Sequence, residues 1–496
     1  MTREKPTGPP RVAKRPFWRR WWFIVSVALV LALVGGYLLW DYTAEQALQA
    51  EIARIREAGE PIEPADLNRP PIPMEQNAVV ALRDAHMALK LTDEQQDLVA
   101  HASPALVEKY PQKFRTMVEA NTEVLELLRE ARGRSDAYWG IHFSSPMLEL
   151  VLPPLGEHRQ LARFARAAVL HYHRQGKDDE AMGVIRDMFQ QARLVVRTEV
   201  LIGSLVSMAI HQLATSSLED CLSELRIDDP AVRRAVEALI DELLDEKNER
   251  ESLTRALRAE RVFILDTFHC IREGTVGSGL GYSSGLTTVR LKLRSYTPAH
   301  KTDCAWGLRQ MTAYVEAAKA DNYPAAVEKL PNVDAFFLED SRNRSKYRVS
   351  SMLVPALGDA YKRHYEMLAM RRMAATALAM RLYEADHGHR PEKLEDLVPQ
   401  YLDEIPADPF TADGSPIKLG EWGGRRVLYS VSVNGRDEGG RYAEDPEETL
   451  GWESFDIVFF LDGARPYETE DPLAGGSMPT QPAGVEGPGN SGALPQ

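Results

Sequence analysis

The chain has 496 residues, 44% hydrophobic and 27% charged, enough apolar material for two or three cores and too much for a chain disordered throughout. Its net charge of −14 argues against nucleic acid as a partner, because phosphate repels it. Three cysteines, Cys221, Cys270 and Cys304, are too few and too scattered for a disulfide framework or a zinc site.

Residues 1–20 form a basic tail, with seven Lys and Arg against Glu4 alone. Residues 21–40, WWFIVSVALVLALVGGYLLW, contain no Asp, Glu, Lys or Arg. At ~1.5 Å per residue they reach about 30 Å, one hydrocarbon thickness. Trp18, Trp21 and Trp22 mark one end and Tyr37, Trp40 and Tyr42 the other, where amphipathic rings meet headgroups. A single-pass transmembrane helix in the inner (cytoplasmic) membrane is predicted. Its basic tail lies in the cytoplasm beside anionic lipid, and the bulk of the chain is periplasmic or otherwise extracytoplasmic. The competing reading is a cleaved signal peptide with Val34 and Gly36 before the cut. The apolar run, however, exceeds the usual core of about 7–15 residues.

Residues 41–58 continue the helical pattern, with Leu48, Ile52 and Ile55 on one stripe, and read as a short stalk. Five prolines between Pro61 and Pro73 predict a stiff extended linker up to residue 75. From 76 to 354 the periodicity is helical throughout, and antiparallel pairs predict an irregular helical-hairpin domain. In one pair, Asp229 is placed to cap a helix that begins at Pro230. Residues 274–288 are a glycine and serine loop. A long helix is predicted from Pro355 to His387, then strands in RVLYSVSV and FDIVFFL, where the period changes to two. These make residues 355–463 a separate small α+β module, and 464–496 a disordered tail rich in Pro, Gly, Ser and Gln.

Two resemblances refine this picture. AVLHYHRQGKDDEAMGVI resembles a tetratricopeptide unit through Tyr172, Gly176, Ala181 and Ile185, although Val169 stands where that motif has glycine. KADNYPAAVEKL echoes it with Ala326, but no fixed period joins the two. The segment from ALAMRLYEADHGHRPEKLEDL to VLYSVSVNGRDEGG resembles the C-terminal region of major type II secretion pseudopilins. The matching positions include Tyr383, Asp386, Gly388, Pro391, Asp408, Ser430, Gly435, Gly440 and Asp456. That resemblance implies a pseudopilin-like module whose acidic loop holds calcium, with Asp437 and Asp456 as side-chain ligands. Ser432 and Asn434 replace that family's glycine and aspartate, and the span lacks its glutamate. The whole layout, with GEPIEPADL after the span, also resembles a group of anchored proteins without assigned activity, typical of planctomycete-like bacteria. This second likeness implies architecture alone.

Read from the residues, the acidic loop (Asp437, Glu438, Glu444, Asp445, Glu447, Glu448 and Glu453 against two arginines) offers the hard oxygens that calcium prefers. GYSSG, residues 281–285, satisfies the hydrolase elbow pattern with Ser283 as nucleophile, but a helix precedes it where a strand is needed. Asp266 and His269, three apart, are an acid and base candidate, and His387 and His389 a two-ligand metal candidate. The fold expected is mainly α, with a transmembrane helix, a tetratricopeptide-like helical domain and a pseudopilin-like module. The function expected is a non-enzymatic anchored scaffold or protein-interaction module serving secretion or the envelope, with an unknown protein partner. An exported hydrolase and a calcium-stabilised module are the alternatives.

Overall fold

The computed structural model describes residues 17–134, 136–275, 285–354, 357–442, 455–463, 465 and 471–473. Helix α1 (Phe17–Glu57) has no proline to interrupt it, so the apolar run and the amphipathic run form one rod. Between Trp21 and Trp40 it is exposed on every side, and its mean hydropathy reaches 2.4. Such a surface is stable in hydrocarbon and costly in water.

Beyond Trp40 the rod changes character. Ala44 and Ile55 are buried, and Leu48 and Ile52 pack on the core. The expected stalk therefore does not stand clear of the domain. Nor do residues 61–75 form a free spacer. They make short 3-10 turns at Pro64–Leu67 and Met74–Gln76, and Leu67 is buried with Phe143, Met147 and Val262. Proline removes backbone donors, and the Asn68 side chain fastens the segment instead. Its Nδ2 donates to the Phe143 carbonyl at 2.9 Å and its Oδ1 accepts from the Phe143 N–H at 2.9 Å.

The helical domain opens with α2 (Ala78–Ala88), α3 (Asp93–Ala100), α4 (Pro104–Lys109), α5 (Pro111–Ala120) and α6 (Thr122–Gly133). Next come α7 (Leu155–Arg174), α8 (Asp178–Val195), α9 (Leu201–Cys221) and α10 (Pro230–Leu244). Four elements follow: α11 (Lys247–Glu273), α12 (Gly285–Ser295), α13 (Pro298–Ala317) and α14 (Tyr323–Val327). Short α15 (Val333–Glu339), α16 (Ser341–Lys346) and α17 (Ser350–Leu353) precede the long α18 (Gly358–His387). Local chemistry explains the boundaries: Asp229 does accept from the Ala231 N–H at 2.7 Å ahead of Pro230, and Gly176, at φ +72°, turns α7 into α8. The α7–α8 pair is a tight antiparallel hairpin, whereas the echo at Ala326 is only the five-residue α14. Helix α9 is also long and apolar enough to cross a bilayer, but it is mostly buried among α7, α8, α11 and α18.

Helix α18 runs through the centre of the molecule, packed on α9 and α10. Arg371, wholly buried, donates to the Leu243, Glu242 and Asp245 carbonyls that end α10 and pairs with Glu249 at 3.2 Å. Arg372 grips Glu246 through two bonds of 2.8 Å. The chain then builds an antiparallel sheet in the order β1 (Lys418–Trp422), β2 (Arg425–Ser430), β3 (Ile457–Phe460). Leu428 and Phe459, paired in register, face the main core; Val427, Tyr429, Val458 and Phe460 form a second cluster on the other face.

Packing thus crosses the boundary expected at residue 354. Besides the two arginines of α18, Glu219 of α9 accepts from the Phe460 N–H at 2.7 Å and from Arg465 at 2.8 Å. The helix of the expected C-terminal module therefore packs against α9 and α10, and alone it would expose the face they cover. Removing one partner of a buried pair leaves the other charge uncompensated. Arg371→Met is expected to destabilise the full chain by about 3–5 kcal/mol in urea unfolding. A fragment of residues 358–463 is expected to show no cooperative melting by circular dichroism.

Candidate functional site

The segment leaving β2 is held by Asp408. It accepts from Ser430 Oγ at 2.7 Å and from the Val431 N–H at 2.9 Å. Ser432, at φ +56°, and Gly435, at φ +63°, then reverse the chain. Only small or adaptable residues take this left-handed conformation without strain. Asn434 closes the turn by accepting from the Arg436 N–H at 2.8 Å, and its amide donates to Glu438 Oε1 at 2.9 Å. Gly439 and Gly440, at φ +78° and +84°, fold the chain over the Val427 and Tyr429 side chains of β2. A Cβ on Gly440 would lie 2.9 Å from the Val427 side chain, so glycine is required there.

The result differs from the ligand pair expected. Asp437 points away from the interior: its Oδ2 receives Lys418 Nζ at 2.6 Å and its Oδ1 the Tyr429 hydroxyl at 3.0 Å. Lys418, with the Tyr429 hydroxyl, holds its carboxyl below the usual range. Asp456 is buried and is brought instead to Glu438. Its Oδ2 accepts from the Gly440 N–H at 2.7 Å, while Asp456 Oδ1 and Glu438 Oε2 are both buried without a hydrogen-bond partner. Burial raises the Asp456 carboxyl to about 7; the Gly440 N–H opposes this and the adjoining Glu438 carboxylate adds to it. A buried carboxylate beside a half-buried one is repelled by it unless positive charge intervenes. The remaining acids named above, from Glu444 to Glu453, lie outside the described residues.

Each of the other sequence candidates has a place. Asp266 is buried, but it accepts from the Met147 N–H at 2.7 Å at the start of a 3-10 turn, while His269 is exposed, so the two do not form an acid and base pair. His387 stacks on Tyr383 at 4.1 Å between ring centres and is exposed, as is His389. Ser283 lies outside the described residues. All three cysteines are buried and free. Among the described residues no group of three or more His, Cys, Asp or Glu is arranged around one point.

Two features escaped sequence reasoning. Glu438 is one of seven acids in its loop, and nothing in their spacing marks it as the partner of Asp456. The second is a shallow pocket where the proline segment meets the corner between α8 and α9. Trp139, Arg69, Arg197 and Glu199 line it, with Glu199 in the left-handed conformation at φ +58°. No protein-family model, curated protein or solved structure matches the chain.

The histidines that the helical domain encloses are proton acceptors on paper only. Burial depresses His158, His300 and His364 to about 4, and His211 well below its usual value beside Arg371. They fold as neutral rings. Because the unfolded chain binds protons at about 6.5 and the folded chain does not, stability is full above pH 6.5 and falls as pH drops toward 4. Each ring contributes a loss of up to about 1.4 kcal/mol per pH unit in that window. The urea midpoint is therefore expected to fall between pH 6.5 and 4.5, and His364→Phe to make the decline shallower.

Proposed function

We propose that this chain is a membrane-anchored extracytoplasmic protein. Its helical domain acts as a non-enzymatic scaffold for a protein partner in secretion or the envelope. The observation that carries the reading is the continuity of α1: the exposed apolar half and the half docked on the domain are one helix. Arg309 holds Glu51 at 2.9 Å, and Glu60, just past the helix, receives Arg258, Arg261 and Lys319 at 2.8–3.1 Å. Although burial opposes it, bonds from Arg261 and Lys319 hold the Glu60 carboxyl down to about 2.

The basic residues before the span and the acids after it support a cytoplasmic N-terminus in the inner membrane. In this reading the α7–α8 hairpin serves as a tetratricopeptide-like docking element. The α18 and sheet region is the pseudopilin-like part, without the filament-forming helix of that family. Intact mass of the membrane-extracted protein is expected to include residues 1–40. A mature chain beginning near Tyr37 would overturn the anchor.

The same reading includes a calcium ion stabilising the loop after β2. Two of the hard oxygens such a site needs support it: Glu438 Oε2 and Asp456 Oδ1 are buried without a hydrogen-bond partner, whereas Asp437 is engaged by Lys418. Binding to the folded form alone adds about 2.7 kcal/mol at a hundred times the dissociation constant. The full chain in detergent is expected to melt higher in calcium than in chelator. Glu438→Gln with Asp456→Asn is expected to abolish the difference, and Asp437→Ala to leave most of it. Equal midpoints for the unaltered chain would remove calcium from the proposal.

A further inference from the structure

We propose that α12 is a second lipid contact: a short amphipathic helix seated in the headgroup region of the bilayer that α1 crosses, fixing how the domain stands on the membrane. The inference rests on the anchor reading of α1.

The first observation is a level. Lys301, in the first turn of α13, bonds Asp41 at 2.8 Å and Glu45 at 3.1 Å, the first acids after the apolar span. Within the turn of α1 just before Asp41 stand Tyr37 and Trp40, both exposed as an interfacial belt would be. Arg309, farther along α13, meets Glu51 at 2.9 Å, farther along α1. The two helices therefore run in the same direction, away from the bilayer. Whatever precedes Lys301 on α13 lies toward the membrane. Pro298 begins α13, and α12 ends at Ser295, so the end of α12 sits about one turn on the bilayer side of the Asp41 contact. Helix α11 runs the opposite way, and its end is there too: the Tyr296 hydroxyl donates to the Arg272 carbonyl at 3.4 Å.

The second observation is a face. Leu291 and Ser295, four apart, are buried against α11 and α13. Val289, Leu293 and Tyr296, at i, i+4 and i+7, are 55%, 66% and 62% exposed. A helix covers its apolar stripe with something, and among the described residues no part of this chain covers this one. At 11 residues α12 is about 16 Å long, too short to cross a bilayer. Lying in the interface is the arrangement left to it.

The third observation is charge. Arg290 and Lys292 are exposed on the same helix, and no acidic residue occurs between Gly274 and Asp303 in a chain whose total is −14. A basic helix with an aromatic and aliphatic edge, level with the end of a span, complements anionic headgroups above an acyl boundary.

The test uses the full chain in nanodiscs. Because the native cysteines are buried, a single introduced cysteine takes an environment-sensitive dye selectively. Three labelled variants are compared: Leu38→Cys in the span, Leu293→Cys on α12, and Val327→Cys, exposed beyond the far end of α13. Lipids carrying a nitroxide near the headgroup are expected to quench the dye at 293 at least threefold more than at 327. Adding Arg290→Glu and Lys292→Glu is expected to bring 293 down to the level of 327 in anionic discs. Quenching at 293 no stronger than at 327, with Leu38→Cys quenched normally, overturns the α12 proposal alone. A disulfide between two Leu293→Cys copies without quenching assigns the stripe to a second chain and overturns it as well. Loss of quenching at residue 38, or a chain lacking it, overturns the anchor on which both rest.

Discussion

A guanidinium buried at the centre of the molecule, that of Arg371, sets the arrangement of the helices around it. Burial removes water from a charge that cannot be neutralised by losing its proton, so its donors have to be met by protein. They are met by the carbonyls that end α10, which carry the negative end of that helix, and by Glu249 of α11. Arg193 of α8 reaches Glu249 and the Glu242 and Asp245 carbonyls as well. Four helices thus share one set of partners. Apolar packing alone tolerates a helix sliding by a turn, whereas a charge bound to named carbonyls does not.

The same logic operates where α1 docks. Apolar contact seats α1 on α13 through Ala44 and Ile55, and ion pairs to Lys301 and Arg309 fix its register. These pairs are partly exposed, so each adds little stability by itself. Their value lies in direction: the apolar half of the rod is continuous with the half held by the domain, in one unbroken helix. The prolines that follow lie against the domain, with Asn68 supplying the bonds their rings cannot make.

The acidic loop shows the opposite situation, two carboxylates each only half partnered. Glu438 and Asp456 are brought together by a chain reversal at Ser432 and Gly435, and each retains a buried oxygen that nothing satisfies. Asp437, one residue away, is fully engaged on the outside by Lys418 and Tyr429. Adjacent carboxylates therefore have different chemistry. A tight turn sends one inward and its neighbour outward.

Residues 21–40 determine a membrane-spanning length and surface by themselves, since hydropathy and helical rise are local properties. The mainly helical character, the Pro230 helix start and the period-two segments at β2 and β3 are equally local and readable. Strand β1 was not readable: KLGEW has no alternation, and it exists because β2 offers an open edge. The pair of arginines in the apolar helix MRRMAATALAM was a visible signal of buried ion pairs, yet their partners lie more than a hundred residues away. Tertiary structure alone decided that the stalk and proline segment are docked and that α18 belongs to the helical core. It also decided that Glu438 rather than Asp437 meets Asp456. Each of these depends on which distant group removes water from a side chain, and no local pattern of residues encodes that.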